Sequence, residues 1–329
     1  MSYVGEYKMK SNTVIHEWSF NHGICRSEAF EKKELAGFSI NVGTKCNNDC
    51  LYCFSGSVLF RHKSFKKFKK DPSGFGYAIV DPDIHEKVAK DATRRRWEGK
   101  RGIIQLCTFS DAWCSAAREH NLGRKCLLAV LENDPDWKIR ILTKNHEVEN
   151  DFDIVKKYRD RVSVGLTITS TPDKAHVMEC LEKNASPMGE RIRVLRKAKK
   201  MGLRTYLMLC PLLPEIADAP KQIDWYVKLA QQIEAEEVFC EAVNPRGSAF
   251  DHVHRELVQQ DYTKESEAIR GISYTKAHAD YTIRLIKNMQ GSMKKFYDIN
   301  KLRFLLYENK HILARKKEIG GRQDGVIWL

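Results

Sequence analysis

The chain has 329 residues, 42% hydrophobic and 30% charged, which is enough apolar material for a large core and argues against wholesale disorder. Lysine and arginine outnumber aspartate and glutamate 56 to 43, a formal net charge of +13 that favours nucleic acid or a phosphorylated substrate over a basic partner. The opening MSYVGEYKMKSNTV lacks the apolar centre of a secretory signal and no apolar run reaches membrane-spanning length, so a soluble cytoplasmic protein is expected.

From residue 37 onward, short β-rich runs alternate with amphipathic stretches of helical period. Strands are predicted at 37–43, 102–109, 137–144, 162–169, 203–210 and 237–243. Helices are predicted near 82–98, 121–133, 151–159, 189–201 and 220–235. Six βα units imply an α/β fold, a partial (β/α)6 TIM-like barrel over 37–250. Residues 1–36 have no clear period and form an N-terminal extension. Residues 251–329, rich in Lys, Tyr and Ile, are predicted as a helical C-terminal cap without strands. Chemistry in such barrels sits at the C-terminal strand ends. Found there are Cys46, the segment 107–111, Lys144, Thr167, Thr169 and residues 244–246.

Three of the ten cysteines fall within eight residues, TKCNNDCLYCFSG, as Cys46, Cys50 and Cys53. Disulfide scaffolds belong to small secreted chains, so cluster or metal binding is the better reading. Structural zinc needs four ligands, usually in two separated pairs, and no second CxxC or HxxxH occurs. Three thiolates on one loop suit a [4Fe-4S] cubane, leaving one iron free to chelate the amino and carboxylate groups of S-adenosylmethionine (SAM). An electron passed to the sulfonium then yields a 5′-deoxyadenosyl radical. Such a reaction calls for an external electron donor of the flavodoxin or ferredoxin type.

The CxxxCxxC spacing with Tyr52 before its last cysteine resembles the radical SAM superfamily, which implies that Tyr52 lies against the adenine. Further segments resemble its spore photoproduct lyase branch: LCTFSDAW at 106–113, ILTKN at 141–145, LTIT at 166–169, NASPMGERIRVLRKAKKMG at 184–202 and VNPRG at 243–247. This resemblance implies that Ser110, Lys144 and Thr167 contact SAM. A Lys ammonium suits the methionyl carboxylate, and hydroxyls suit ribose or carboxylate oxygens. Arg191 reads either as a clamp on a carboxylate or as a structural ion pair.

By the same resemblance Cys107 is the thiol that returns a hydrogen atom to a substrate radical. The alternative is a buried core cysteine on an apolar strand. Two departures from the lyase pattern bear on the reaction. Phe109 is inserted between Thr108 and Ser110, and Phe54 stands where the lyases carry a second tyrosine able to donate an O–H hydrogen.

The run RHKSFKKFKK at 61–70 interleaves Phe65 and Phe68 with cations. It reads either as a nucleic-acid surface or as a solvated face with two core aromatics. His252 and His254 read as surface or packing residues. The expected function is hydrogen abstraction from a nucleic-acid or nucleotide-like substrate, with photoproduct-lyase-like repair as one form. The alternatives are a radical SAM enzyme acting on a peptide or small metabolite, and a non-catalytic iron–sulfur module that binds nucleic acid.

Overall fold

The computed structural model describes residues 6–8, 13–245 and 247–329. Its centre is a nine-stranded sheet in which eight parallel strands follow one another in chain order. They are β1 (Phe38–Ile40), β2 (Ile103–Leu106), β3 (Lys138–Thr143), β4 (Val162–Thr167), β5 (Arg204–Leu212), β6 (Val238–Ala242), β7 (Leu302–Leu306) and β8 (Val326–Trp328). The ninth strand, Cys25–Arg26, runs antiparallel to β1. It and β8 are unpaired edges, so the sheet is an open, TIM-like partial barrel.

The six predicted strands all appear, as β1 to β6. Interior parallel strands are covered on both faces and therefore read as continuous apolar runs, as in β4, where all six residues are buried. Helices pack outside. In Met188–Lys200 the buried residues Met188, Arg191, Ile192, Leu195 and Ala198 recur at helical spacing, while Arg193, Arg196 and Lys197 face solvent. Inside the sheet, Tyr206, Met208, Phe239, Leu305, Ile327 and Leu35 form a separate apolar cluster. Tyr206 fits only because its neighbour on β4 is Gly165, where a Cβ would stand 2.3 Å from the tyrosine ring. With the interior filled, open space remains at the C-terminal strand ends.

Two sequence expectations need revision. Residues 251–329 do hold helices, including Ala249–Gln259 and Thr275–Phe296, but they also deliver β7 and β8 to the sheet. LRFLL and VIW are too short to stand out against flanking lysine-rich segments. The run 37–43 is not one strand either: the chain leaves the large sheet after Ile40, and Gly43–Lys45 joins a second sheet. That sheet also contains Tyr77–Val80, Val14–Glu17 and Glu6–Lys8. Gly43 is required for this crossing, because a Cβ there would meet the Ile79 carbonyl oxygen at 2.1 Å. The second sheet thus braces the backbone immediately before Cys46. No helix among the described residues is long and apolar enough to cross a membrane.

Candidate active site

A cleft of about 1100 Å³, counted to its open mouth, lies over the C-terminal ends of the parallel strands. Cys46, Cys50, Tyr52, Cys53, Cys107, Ser110, Lys144 and Thr167 all line it. Residues far apart in sequence therefore meet at one place. Cys46 and Cys50 are half-buried and Cys53 is exposed, all with free thiols.

The loop carrying the thiols is fixed from two sides. Asp49 adopts a left-handed backbone (φ 49°), which short polar side chains tolerate, and its carboxylate accepts from Gly76 N at 3.0 Å and Asn184 Nδ2 at 3.3 Å. Leu51 N donates to Leu181 O at 2.9 Å, Asn184 N to Asn48 O at 3.1 Å, and Asn184 Nδ2 to Asn47 O at 3.0 Å. An isolated antiparallel bridge joins Cys50 to Glu182. The segment 181–184 is thus a clamp on the cysteine loop, and the sequence gives it no motif.

Two buried carboxylates organise the polar wall. Asp111 accepts from Asn48 Nδ2 (3.1 Å), Thr143 Oγ1 (2.7 Å), Asn145 Nδ2 (2.9 Å) and the backbone N–H groups of Trp113 (2.9 Å) and Lys144 (2.9 Å). It ties the cysteine loop, the β2 end and the β3 end into one unit. Glu182 accepts from Tyr52 Oη, from Thr169 Oγ1 at 2.9 Å and from Arg191 Nη2. Burial alone would raise its carboxyl, but Arg191 and Lys144 outweigh that and hold it below the ordinary carboxylate range. Burial, and then Glu182, pushes the Tyr52 phenol well up, so Tyr52 stays a hydrogen-bond donor.

Arg191 does not line the cleft. It is buried, and beyond Glu182 its guanidinium donates to Ser186 O at 2.7 Å and Thr167 O at 3.1 Å. Those contacts occupy its fork, so it holds Glu182 and the β4 end rather than reaching a ligand. Its sequence neighbour Glu190 pairs instead with Arg193. Lys144 projects over the Tyr52 ring at 5.5 Å. Among the described residues it forms no ion pair with a carboxylate.

Asn41 positions the segment after β2: its Oδ1 accepts from Thr108 N at 2.8 Å and Phe109 N at 3.0 Å, and its Nδ2 donates to Thr108 Oγ1 at 2.8 Å. The inserted Phe109 leaves both neighbours on the cleft wall, since Cys107, Phe109 and Ser110 all line it. Cys107 is buried and its thiol is pushed up to about 12, mainly by desolvation. The buried Ser110 hydroxyl has no strong partner beyond that thiol.

The facing wall comes from other parts of the chain: Phe30, Lys33 and Leu35 before β1, Met208, Cys210 and Pro211 on β5, Glu241 and Ala242 on β6, and Leu305 on β7. Lys33 is buried, its ammonium 5.3 Å from the Phe30 ring centre and 5.2 Å from that of Tyr307. Burial lowers its pKa, yet Glu241 and Tyr307 more than reverse this. None of these residues carries a sequence signal; only their meeting across the barrel reveals them.

Three remaining expectations resolve differently. Phe65 is buried, and Phe68 stacks on His16 with centroids 4.5 Å apart, so both aromatics of 61–70 belong to a packed cluster with Tyr77 and Ile79. They are not available to stack on bases. His254 bonds Ser266 Oγ at 2.7 Å and His252 meets Phe75 edge-on at 5.2 Å, consistent with packing. Arg246 lies outside the described residues.

Among the described residues, no three His, Cys, Asp or Glu side chains converge to hold a single metal ion. A cubane does not require this: its thiolates bind three different irons and need only share a wall, as Cys46, Cys50 and Cys53 do. Burial pushes the Cys50 thiol up to about 12 and the Cys46 thiol well above its ordinary value, so deprotonation depends on a cationic partner of the kind an iron cluster supplies. The donor set fits such a cluster, with a lysine and hydroxyls beside it for a zwitterionic ligand.

No protein-family model matches the chain. Structural comparison is decisive for the fold. A tyrosine-to-phenylalanine mutant of spore photoproduct lyase aligns at a TM-score of 0.59 and 16% identity, covering 86% of this chain and 79% of that one. The fold is that of spore photoproduct lyase. A mutant of that lyase with bound AdoMet and dinucleoside spore photoproduct aligns at a TM-score of 0.54 and 16% identity, over 80% of this chain and 75% of that one. Sequence relatives are uncharacterized. One, from Acidianus two-tailed virus, is 24% identical over 77% of this chain and 83% of its own length. Another, from Methanocaldococcus jannaschii, is 25% identical over 79% of this chain and 89% of its own. In this fold the cleft of the present chain occupies the C-terminal face of the sheet.

Proposed function

We propose that the protein is a radical SAM enzyme that reductively cleaves SAM at a [4Fe-4S] cluster and abstracts hydrogen from a nucleic-acid or nucleotide-like substrate. The observation that carries this reading is the convergence of Cys46, Cys50 and Cys53 with Tyr52, Ser110, Lys144 and Thr167 on one cleft. When bound, cluster and SAM supply the electron and the 5′-deoxyadenosyl radical. An external flavodoxin- or ferredoxin-type donor supplies the electron to the cluster.

The chain's own residues divide the remaining work. Cys46, Cys50 and Cys53 hold the cluster. Lys144 pairs with the methionyl carboxylate, Ser110 and Thr167 donate hydroxyls to SAM, and the Tyr52 ring walls the adenine side. Arg191 positions rather than binds, fixing Glu182 and through it the Tyr52 hydroxyl. Cys107 keeps its hydrogen because burial holds the thiol protonated, which suits return of a hydrogen atom to a substrate radical.

The neighbour that holds AdoMet and dinucleoside spore photoproduct supports a nucleotide-like substrate. Residues 37–250 carry every cofactor-side group, whereas 1–36 contributes Phe30, Lys33 and Leu35 and the late strand β7 contributes Leu305 to the facing wall. The flanking regions therefore shape the substrate side. Phe54 on the cleft wall removes one phenolic donor of the lyase pattern, so the reaction shares hydrogen abstraction with photoproduct repair and differs in the route back.

The test is anaerobic reconstitution with iron and sulfide, followed by dithionite and SAM. The wild type is expected to form 5′-deoxyadenosine, and Cys50→Ala to fall to background. No 5′-deoxyadenosine above the Cys50→Ala control overturns the reading.

A further inference from the structure

The segment that follows the cysteine loop combines a large exposed aromatic with a group of exposed cations. Phe54 and Ser55 line the cleft, and one helical turn later Val58 N donates to Phe54 O. From there the chain turns outward: Val58 is 44% exposed and Phe60 59% exposed, with the Arg61 guanidinium 5.0 Å over the Phe60 ring. The helix Lys63–Phe68 comes next, anchored inward by buried Phe65 and by Phe68 stacked on His16. With the aromatic side anchored, Lys63, Lys66 and Lys67 stand at i, i+3 and i+4 on one solvent face.

Arg61, Lys63, Lys66, Lys67 and Lys69 are exposed, and among the described residues none sits in an ion pair. By contrast, on Met188–Lys200 the exposed Arg193 and Lys197 share Glu149 at 2.5 and 2.6 Å. Like charges at this helical spacing repel one another and a solvated face gains nothing from grouping them, whereas a polyanion relieves the repulsion. The uncompensated group also lies one turn beyond the cleft wall and adjoins a large exposed aromatic.

We propose that Phe60, Arg61 and the outward lysines 63, 66 and 67 form a docking surface for an unpaired nucleic-acid strand. Phosphates pair with the lysines and a base stacks on Phe60, so that the strand is led along the helix Ser55–Val58 to the cleft. This rests on the nucleic-acid reading of the substrate given above. It reassigns the stacking role from Phe65 and Phe68, which are packed, to Phe60, which is exposed.

The test is fluorescence anisotropy of the reconstituted full chain with labelled oligothymidylate, oligouridylate and a DNA duplex over a salt series. Neither SAM nor reductant is added, so a failure here removes the surface and leaves SAM cleavage to be judged by its own assay. Single strands are expected to bind more tightly than duplex, and the thymidylate and uridylate arms separate DNA from RNA. The Lys63→Gln/Lys66→Gln/Lys67→Gln triple variant should make the slope of log K against log salt shallower by about 2, at about 0.7 per phosphate contact. The corresponding Lys→Arg triple should restore it. Phe60→Ala should weaken single-strand binding roughly tenfold without altering the slope. A wild-type slope near zero, a Gln triple variant with wild-type affinity and slope, tighter duplex binding, or binding to phosphatidylserine vesicles but to no oligonucleotide would each overturn the proposal.

Discussion

On the cleft wall formed by the cysteine loop and the ends of β2 to β4, most polar atoms are already committed: five donors converge on Asp111, and Glu182 is held by a tyrosine, a threonine and an arginine. The facing wall, from residues 30–35 and the ends of β5 to β7, is mostly apolar, and Lys33, Cys210, Glu241 and Asn244 are its polar groups. A wall that must present several donors to one fixed ligand needs each side chain locked by a second partner. A wall that accommodates a substrate needs shape and only a few polar contacts. Under the proposed function, the contrast suits a fixed cofactor on the first wall and a substrate on the second.

The comparison breaks most readily at Glu182. Glu182→Ala leaves Arg191 charged, buried and without its carboxylate, an expected loss of about 3–5 kcal/mol in urea unfolding. A loss below about 1 kcal/mol would mean that the locked wall is not locked by this pair. Next is Lys144→Ala, which removes the cation beside Tyr52. A charge-assisted hydrogen bond is worth about 1.5–3 kcal/mol, so SAM affinity measured by calorimetry should fall roughly tenfold to a hundredfold. Unchanged affinity would move SAM off this wall. The smallest effect on the fold is Cys107→Ala, about 1 kcal/mol from lost burial, with its main consequence in the products. The substrate radical should then be quenched elsewhere, giving an altered product mixture by mass spectrometry. An unaltered mixture would make Cys107 a packing residue and place the hydrogen donor on the facing wall.

Local pattern made the locked wall partly legible in sequence. The cysteine spacing, the strand-end Lys144 and Thr167, and the six apolar runs of β1 to β6 are all short-range signals. Asp111 falls in a segment the sequence singles out, but its five donors come from three separate stretches of chain, so its role as a hub is a property of the fold. Glu182 has no signal at all, because its partners Tyr52, Thr169 and Arg191 become neighbours only once the loop is clamped. The facing wall was illegible for the same reason: Lys33, Cys210, Glu241 and Leu305 come from both flanks and two barrel strands. β7 and β8 escaped notice because short apolar runs cannot be told from loop or helix by period alone. In 61–70, spacing allowed both a stacking and a core role for the phenylalanines, and burial decides for the core.

The bridge between Cys50 and Glu182 has a thermodynamic consequence for assembly. A free loop bearing three thiols would lose backbone entropy of about 1–2 kcal/mol per residue at the moment iron enters. Here much of that ordering is completed when the polypeptide folds, through Leu51, Asn184 and the bridge itself. For the proposed cluster, iron insertion would therefore resemble filling a rigid receptor more than folding a peptide around a metal.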